Sequence, residues 1–363
     1  MVPPRAERGS PGARTPAVTV RGKEPPVKHL RTARGALALA AAALLLTACA
    51  GDDAEPSGGS TPDAGGETTE SISVGISQIV AHPSLDAARD GFKAALADAG
   101  YDVDYDEQNA QGDQSVAASI AGKFASDDLD LILAIATPTA ISVAQAVTDV
   151  PVLFTAVTDP EGAALVESAD APGGNVTGTS DAVPVDGLLE LVTRIAPDAE
   201  TVGIVYNAGE PNAVTQVEWA EEAAADLGLT IELATADTSA AVQQAADSLD
   251  VDAFFVITDN TVVSALETLI QVAEDKDIPV IASEGDSVAR GAIATIGIDY
   301  YALGYQTGEM AVRILRGEVE PGELAVETQT QLDLYLNTGA AERMGVTIPE
   351  DLLAEADPEN VTE

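Results

Sequence analysis

The chain has 363 residues, with 60 Asp and Glu against 17 Lys and Arg and a formal net charge of −43 at pH 7. Nucleic acid is excluded as a partner, because neutralising phosphates takes clustered Lys and Arg. Adsorption to anionic lipid headgroups fails for the same reason. One cysteine and two histidines leave no zinc-finger spacing and no His–Cys pair, so no metal site is expected. Neither a P-loop nor a dinucleotide fingerprint occurs, and no cofactor is expected.

Residues 1–26 are rich in Pro, Gly and Arg and exceed what export requires, so translation is expected to begin near Val27. His29, Arg31 and Arg34 then precede the apolar run 35–46, which is followed by small residues and Cys49. A basic flank, a short apolar core and small residues make a secretory signal segment. The apolar core is well short of the roughly 18 to 20 residues that span a bilayer. Leu46-Thr47-Ala48-Cys49 resembles the processing box of bacterial lipoproteins, which implies a lipid on Cys49 as the mature N-terminus. Residues 1–48 are therefore expected to form the signal segment. Residues 49–71 follow as a flexible tether, because a stretch of Gly, Ser, Thr, Pro, Asp and Glu buries too little surface to order itself. Eight of the 17 basic residues but only two of the 60 acidic ones precede Cys49, leaving nine against 58 and a formal charge of about −49. Acyl chains, not headgroup attraction, must then hold the chain at an extracytoplasmic membrane face.

From residue 71 onward short apolar runs alternate with amphipathic stretches. Strands are predicted at 72–76, 103–105, 131–135, 152–155, 202–206, 230–233, 253–257, 280–282, 292–298 and 331–336. Their β-branched and Leu content without polar alternation indicates strands covered on both faces. Helices are predicted at 84–99, 113–126, 139–147, 185–195, 212–227, 239–248, 260–275 and 301–316. Asp113 and Ser239 stand where N-caps belong, Gly100 and Gly228 where C-caps belong. Such alternation gives an α/β fold with doubly wound parallel sheets. About 290 residues exceed one such core, and the pattern restarts after the Gly- and Pro-rich passage 171–178. Two lobes are expected, 72–182 with 293–330 and 183–292 with 331–358, hinged at crossings near 179–184 and 293–299, in a monomer.

In open α/β sheets ligands bind outside the carboxyl ends of the strands. Those ends are polar here: Ser77-Gln78, Ala136-Thr137-Pro138-Thr139, Thr158-Asp159-Pro160, Thr179-Ser180-Asp181, Tyr206-Asn207, Thr258-Asp259-Asn260 and Ser283-Glu284. Singly, each is explained as a cap for the next helix. Seven along one edge of two sheets describe a polar cleft.

Several passages carry a resemblance. They are Gln108-Asn109-Ala110-Gln111-Gly112-Asp113, Ala134-Ile135-Ala136-Thr137-Pro138, Thr158-Asp159-Pro160-Glu161-Gly162-Ala163, residues 172–181 and Thr258-Asp259-Asn260-Thr261. Gly297-Ile298-Asp299-Tyr300-Tyr301-Ala302-Leu303-Gly304 and Gly308-Glu309-Met310-Ala311 complete the set. In this order they resemble the substrate-binding lipoproteins of ABC importers, in the type I periplasmic-binding group that includes tryptophan- and tyrosine-binding components. The resemblance spans about residues 72–353. It implies hinge closure on a small molecule and partnership with permease and ATPase subunits.

Residue chemistry permits an amino acid as ligand. Asp259 is the candidate for its ammonium, with Asp159 competing; Thr137 and the helix start near Thr139, with Thr158, Ser180 or Gln78, are candidates for its carboxylate. Pro138, Asp181, Asn260 and Tyr206 complete the expected site, and Phe154 and Tyr300 are further candidate walls. A sugar, a nucleoside or a sensor-linked role on the same fold stays open, as does His82 as a contact. Catalysis has little support: no Gly-x-Ser-x-Gly elbow occurs, and only the carboxylates Asp159 and Asp259 would allow a hydrolase of the glycosidase kind.

Overall fold

A computed structural model describes residues 71–363; the expected signal segment, Cys49 and the tether up to residue 70 lie outside the described residues. In chain order the elements are β1 (Ser71–Gln78), α1 (Pro83–Asp98), β2 (Asp102–Asn109), α2 (Gln114–Phe124), β3 (Leu131–Ile135), α3 (Thr137–Ala146), β4 (Val152–Val157) and β5 (Val176–Ser180). Then come α4 (Val185–Ile195), β6 (Thr201–Tyr206), α5 (Pro211–Leu227), β7 (Thr230–Thr235), α6 (Val242–Ser248), β8 (Ala253–Val256), α7 (Asn260–Val263), α8 (Leu266–Lys276), β9 (Val280–Ala282), α9 (Gly285–Ala289) and β10 (Ala294–Gly297). The chain finishes with α10 (Tyr300–Leu315), β11 (Glu327–Thr328), β12 (Asp333–Asn337), α11 (Thr338–Arg343), α12 (Glu350–Glu355) and β13 (Val361–Thr362).

The strands form two sheets, ordered β11-β5-β4-β3-β1-β2 and β13-β12-β10-β9-β8-β6-β7. The first is parallel throughout; in the second the β10–β12 pair is antiparallel, so β12 and β13 run against the other strands. Each half therefore repeats the same winding, reversing direction between β1 and β3 and again between β6 and β8. A doubly wound sheet binds ligands at that reversal.

Helices on both faces bury the central strands, and every residue of β3, β4, β5, β8 and β9 is buried. The outer strands differ from the expectation of two covered faces: β2 and β7 sit at sheet edges and alternate exposed with half-buried residues. Exposed Asp102 and Asp104 along β2 guard that edge against pairing with another chain.

Three further differences concern the crossings. Residues 176–180, read as part of a turn-rich passage, form β5 inside the first sheet. A Cβ on Gly178 would stand 2.0 Å from the Phe154 carbonyl oxygen, so the glycine marks close strand approach rather than a turn. The apolar strand Ala294–Gly297 pairs with β9 and β12 in the second sheet, not in the first lobe as expected, so the chain crosses at residues 298–299. The C-terminus adds β13 beside β12. Elsewhere the predicted helix 260–275 is broken after Val263, and Ser239 opens a 3₁₀ turn without capping it. Asp113 and Gly228 cap as expected.

Helix α10 returns to the first lobe and lies against α1 with almost no gap. A Cβ on Gly304 would fall 1.8 Å from the Ala88 carbonyl oxygen, and one on Gly91 2.0 Å from that of Tyr301. Among the described residues no helix is long and apolar enough to cross a membrane.

Candidate ligand site in the interlobe cleft

The carboxyl ends of the two sheets face each other across a narrow cavity of about 10 Å³. His82, Ser84, Leu85, Ala156, Asp181 and Tyr300 form its first-lobe wall, and Asn212, Thr258, Asp259, Asn260, Val263 and Glu284 the opposite one. That is room for about one water molecule, so a ligand of amino-acid size is admitted only when the lobes part.

On the second lobe, Asp259 leaves the end of β8 and caps α7, accepting from the Val262 N–H at 2.9 Å and the Asn207 N–H at 2.6 Å. It is fully buried; burial, then the charge of Glu210, pushes its carboxyl up to about 8. Glu210 itself collects the Asn260 N–H at 3.1 Å and side-chain amide at 2.5 Å, with the Thr261 N–H at 3.0 Å and hydroxyl at 2.8 Å. Asn260 is thereby held in one orientation. Gln216 clasps Thr258, accepting its N–H at 3.1 Å and donating to its hydroxyl at 2.6 Å.

On the first lobe, Asp181 follows β5 and accepts from the Thr158 hydroxyl at 2.9 Å and the Tyr300 hydroxyl at 2.7 Å. Burial raises its carboxyl above the usual range despite both donors. Burial, with Arg290 nearby, lowers His82 from 6.5 to about 4, partly offset by Asn260, so the imidazole is neutral at pH 7. Two alanines at strand ends, Ala136 and Ala156, hold φ of 78° and 56°, the left-handed backbone that non-glycine residues avoid and that clusters at functional sites.

Two features define the chemistry. Three carboxyls, Asp181, Asp259 and Glu284, line the cavity, and neither Lys nor Arg does. In addition Ser77 Oγ, Thr137 Oγ1, Ser283 Oγ, His82 Nδ1 and Asn212 Oδ1 are buried without a partner in the protein. Buried polar atoms are normally paired, and these five belong to the segments that meet at the cleft.

The expected site residues divide. Asp181, Asp259 and Asn260 line the cavity. Thr137 and Pro138 open α3 at the end of β3, both buried. Thr158 and Ser180 brace the wall: one hydroxyl holds Asp181, and the other donates to the Thr158 carbonyl at 3.0 Å. Gln78 spends its amide on the Val80 carbonyl at 2.8 Å and the Asp86 carboxylate at 2.9 Å. Asp159 turns away, accepting from the Gly162 N–H at 2.8 Å, and does not line the cavity. Tyr206 is half-buried outside it, and Phe154 is buried in the first sheet. Ser84, Leu85, Ala156, Asn212 and Val263 were not anticipated. Ser84 and Asn212 each follow a helix-starting proline, the one signal that would have placed them at a helix mouth.

The lobes touch across this cleft. Ser84 and Glu284 are 3.0 Å apart, the Thr158 and Thr258 hydroxyls 3.3 Å, and the Gln114 amide donates to the Gly209 carbonyl at 2.7 Å.

A two-lobed α/β fold closing on a buried polar cavity defines a solute-binding protein. Residues 73–360 match the family of ABC transporter substrate binding proteins, and the chain belongs to that family. It is the extracytoplasmic substrate-binding component of an ABC transporter. It is 42% identical over 299 residues to the tyrosine-binding protein of Clostridioides difficile, covering 81% of this chain and 86% of that one. The ABC domain of Streptococcus pneumonia in complex with L-Trp is 35% identical, covers 81% of this chain and all of that one, and superposes with a TM-score of 0.77. A ligand-free, open substrate-binding protein of Clostridium difficile is 42% identical, covers 80% and 98%, yet superposes at only 0.60. That relative is open, whereas here the lobes touch across the cleft.

Proposed function

We propose that the protein captures an aromatic α-amino acid, tyrosine or tryptophan, and presents it to a permease driven by an ATPase. A lipid on Cys49 would hold it, as a monomer, at the outer face of the cell membrane. The observation that carries the ligand class is the cavity wall with three carboxyls and no basic side chain. Such a wall favours a ligand with an ammonium group and disfavours one that is purely anionic. Asp259 takes the ammonium, whose positive charge offsets burial and holds the carboxyl ionised, while the unpartnered hydroxyls of Thr137, Ser77 and Ser283 and the start of α3 receive the carboxylate. Leu85, Val263, Ala156 and the Tyr300 ring supply apolar surface for the side chain. The names of the C. difficile and S. pneumonia relatives support the aromatic choice. The test is a thermal-shift screen of residues 66–363 against amino acids, nucleosides and sugars. A ligand at 100 times its dissociation constant adds about 2.7 kcal/mol of stability. Stabilisation by tyrosine or tryptophan is expected; stabilisation by a sugar or nucleoside alone refutes the reading.

A further inference from the structure

Glu284 is the one cavity carboxyl whose partners come from both lobes. It follows β9 in the second lobe and is only 2% exposed. Its Oε2 lies 3.0 Å from Ser84 Oγ, on α1 of the first lobe. Its Oε1 accepts from the Ser287 hydroxyl one turn further along its own helix. Neither Lys nor Arg lines the cavity around it. The acidic neighbours come from every side: Asp286 on its own α9, Tyr300 with Asp299 beside it at the start of α10, Asp181 from β5 and Asp259 from α7. His82, on the loop before α1, is neutral at pH 7. Arg290 is close enough to act on His82 and Asp286 but not on Glu284, and it holds Glu267 through two nitrogens, at 2.8 and 2.9 Å.

We propose that the cleft closes with Glu284 in its acid form, latched to Ser84 across the lobes, so that ligand capture takes up a proton. Burial leads there. Glu284 is 2% exposed, its two oxygens meet only the Ser84 and Ser287 hydroxyls among side chains, and no cation lines the cavity. If Glu284 carries a proton, Oε2–H donates to Ser84 Oγ. An ionised Glu284 would be a buried charge without a counterion. Opening separates Ser84 from Glu284 and returns the carboxyl to water. Burial raises the closed-state carboxyl above its ordinary 4.5, with Asp286 adding to the rise.

The sign follows from linkage. The closed form binds more protons at this site, so closure is unimpaired below about pH 4.5. Above that it weakens about tenfold per pH unit until the closed form itself ionises. His82 acts in the opposite direction below 6.5, so wild type must be compared with Glu284→Gln, in which every other group is retained. The proposal rests on closure around a ligand, not on which ligand is taken.

Two measurements test it. In ligand-free protein, small-angle scattering should show wild type more compact at pH 5 than at pH 8 relative to Glu284→Gln, which has no proton to lose; equal pH responses overturn the proposal. Calorimetry with L-tyrosine or L-tryptophan at pH 5.5, in two buffers of different ionisation enthalpy, should show greater proton uptake by wild type than by the variant. Equal uptake also overturns it. Binding of neither amino acid rejects the proposed ligand class, and the scattering comparison still decides the latch. Ser84→Ala, which leaves the acid in place, should lower the closed fraction at pH 5, and an unchanged fraction counts against a cross-lobe latch.

Discussion

Asp259→Asn removes the charge assigned to the ligand's ammonium while keeping the side chain's size. The carboxyl is fully buried, and both of its oxygens are engaged, by the Asn207 and Val262 N–H groups. Losing one member of a desolvated charge pair costs roughly 2 to 5 kcal/mol of binding. The low end applies here, because Asp181 remains in the cavity wall to face the stranded ammonium. About 2 to 3 kcal/mol corresponds to a loss of roughly 30- to 150-fold at 1.4 kcal/mol per tenfold. The amide nitrogen of Asn must also face one of the two backbone N–H groups. That lost bond lowers the stability of the empty protein by about 1 to 3 kcal/mol, so affinity must be measured well below the variant's melting temperature. Titration calorimetry with L-tyrosine and L-tryptophan gives the comparison, and Asp159→Asn, whose carboxyl serves the Gly162 turn, is the control that should bind normally. An Asp259→Asn protein within threefold of wild type would refute the assignment of the ammonium.

Gly304→Ala drives a methyl into the Ala88 carbonyl and should cost about 1 to 3 kcal/mol by urea unfolding, with unchanged stability showing that α1 and α10 separate freely. His82 is neutral and buried, so its contribution is intact above pH 6.5 and is lost as pH falls towards 4; relative to His82→Asn, wild type should lose about 2.5 kcal/mol between pH 7 and pH 4.5, and parallel unfolding curves contradict it. Gln114→Ala deletes the bond to the Gly209 carbonyl at the cleft mouth and should speed ligand release by roughly two- to tenfold in stopped flow, the equivalent of one hydrogen bond. Cys49→Ser should abolish acylation and leave the protein unprocessed or released, and membrane partitioning with the wild-type acylated mass would exclude the anchor.

Strand and helix positions were legible because each apolar run has its own period and its own punctuation. Leu131–Ile135, Val280–Ala282 and Val185–Ile195 fall where the sequence places them. What failed was long-range information. Residues 176–180 look like a turn because Gly178 looks like one, yet its requirement is the neighbouring Phe154 backbone. Ala294–Gly297 belongs to the second sheet through pairing with β9 and β12, which no local pattern reports. At the cleft, the rule of strand ends led to Asp181, Asp259 and Asn260, which line the cavity. It could not separate Asp159 from them, because an Asp that closes its own turn and an Asp that faces a cavity read alike. Ser84 and Glu284 lie 200 positions apart, and only the closed lobes bring them together.

Neither lobe is a continuous piece of chain. The first sheet keeps an unfinished edge until β11, at residues 327–328, and α1 has no cover for its glycine face until α10 is made. The second sheet in turn waits for β12 and β13. During synthesis and passage to the cell exterior the N-terminal half therefore cannot reach its final state ahead of the C-terminal half. The assembly order is set by residues 300–363 rather than by the first elements. Cutting the gene at the hinge would yield two fragments that each lack an edge or a helix, and only a permuted chain that reunites 71–180 with 300–328 would give a self-sufficient half.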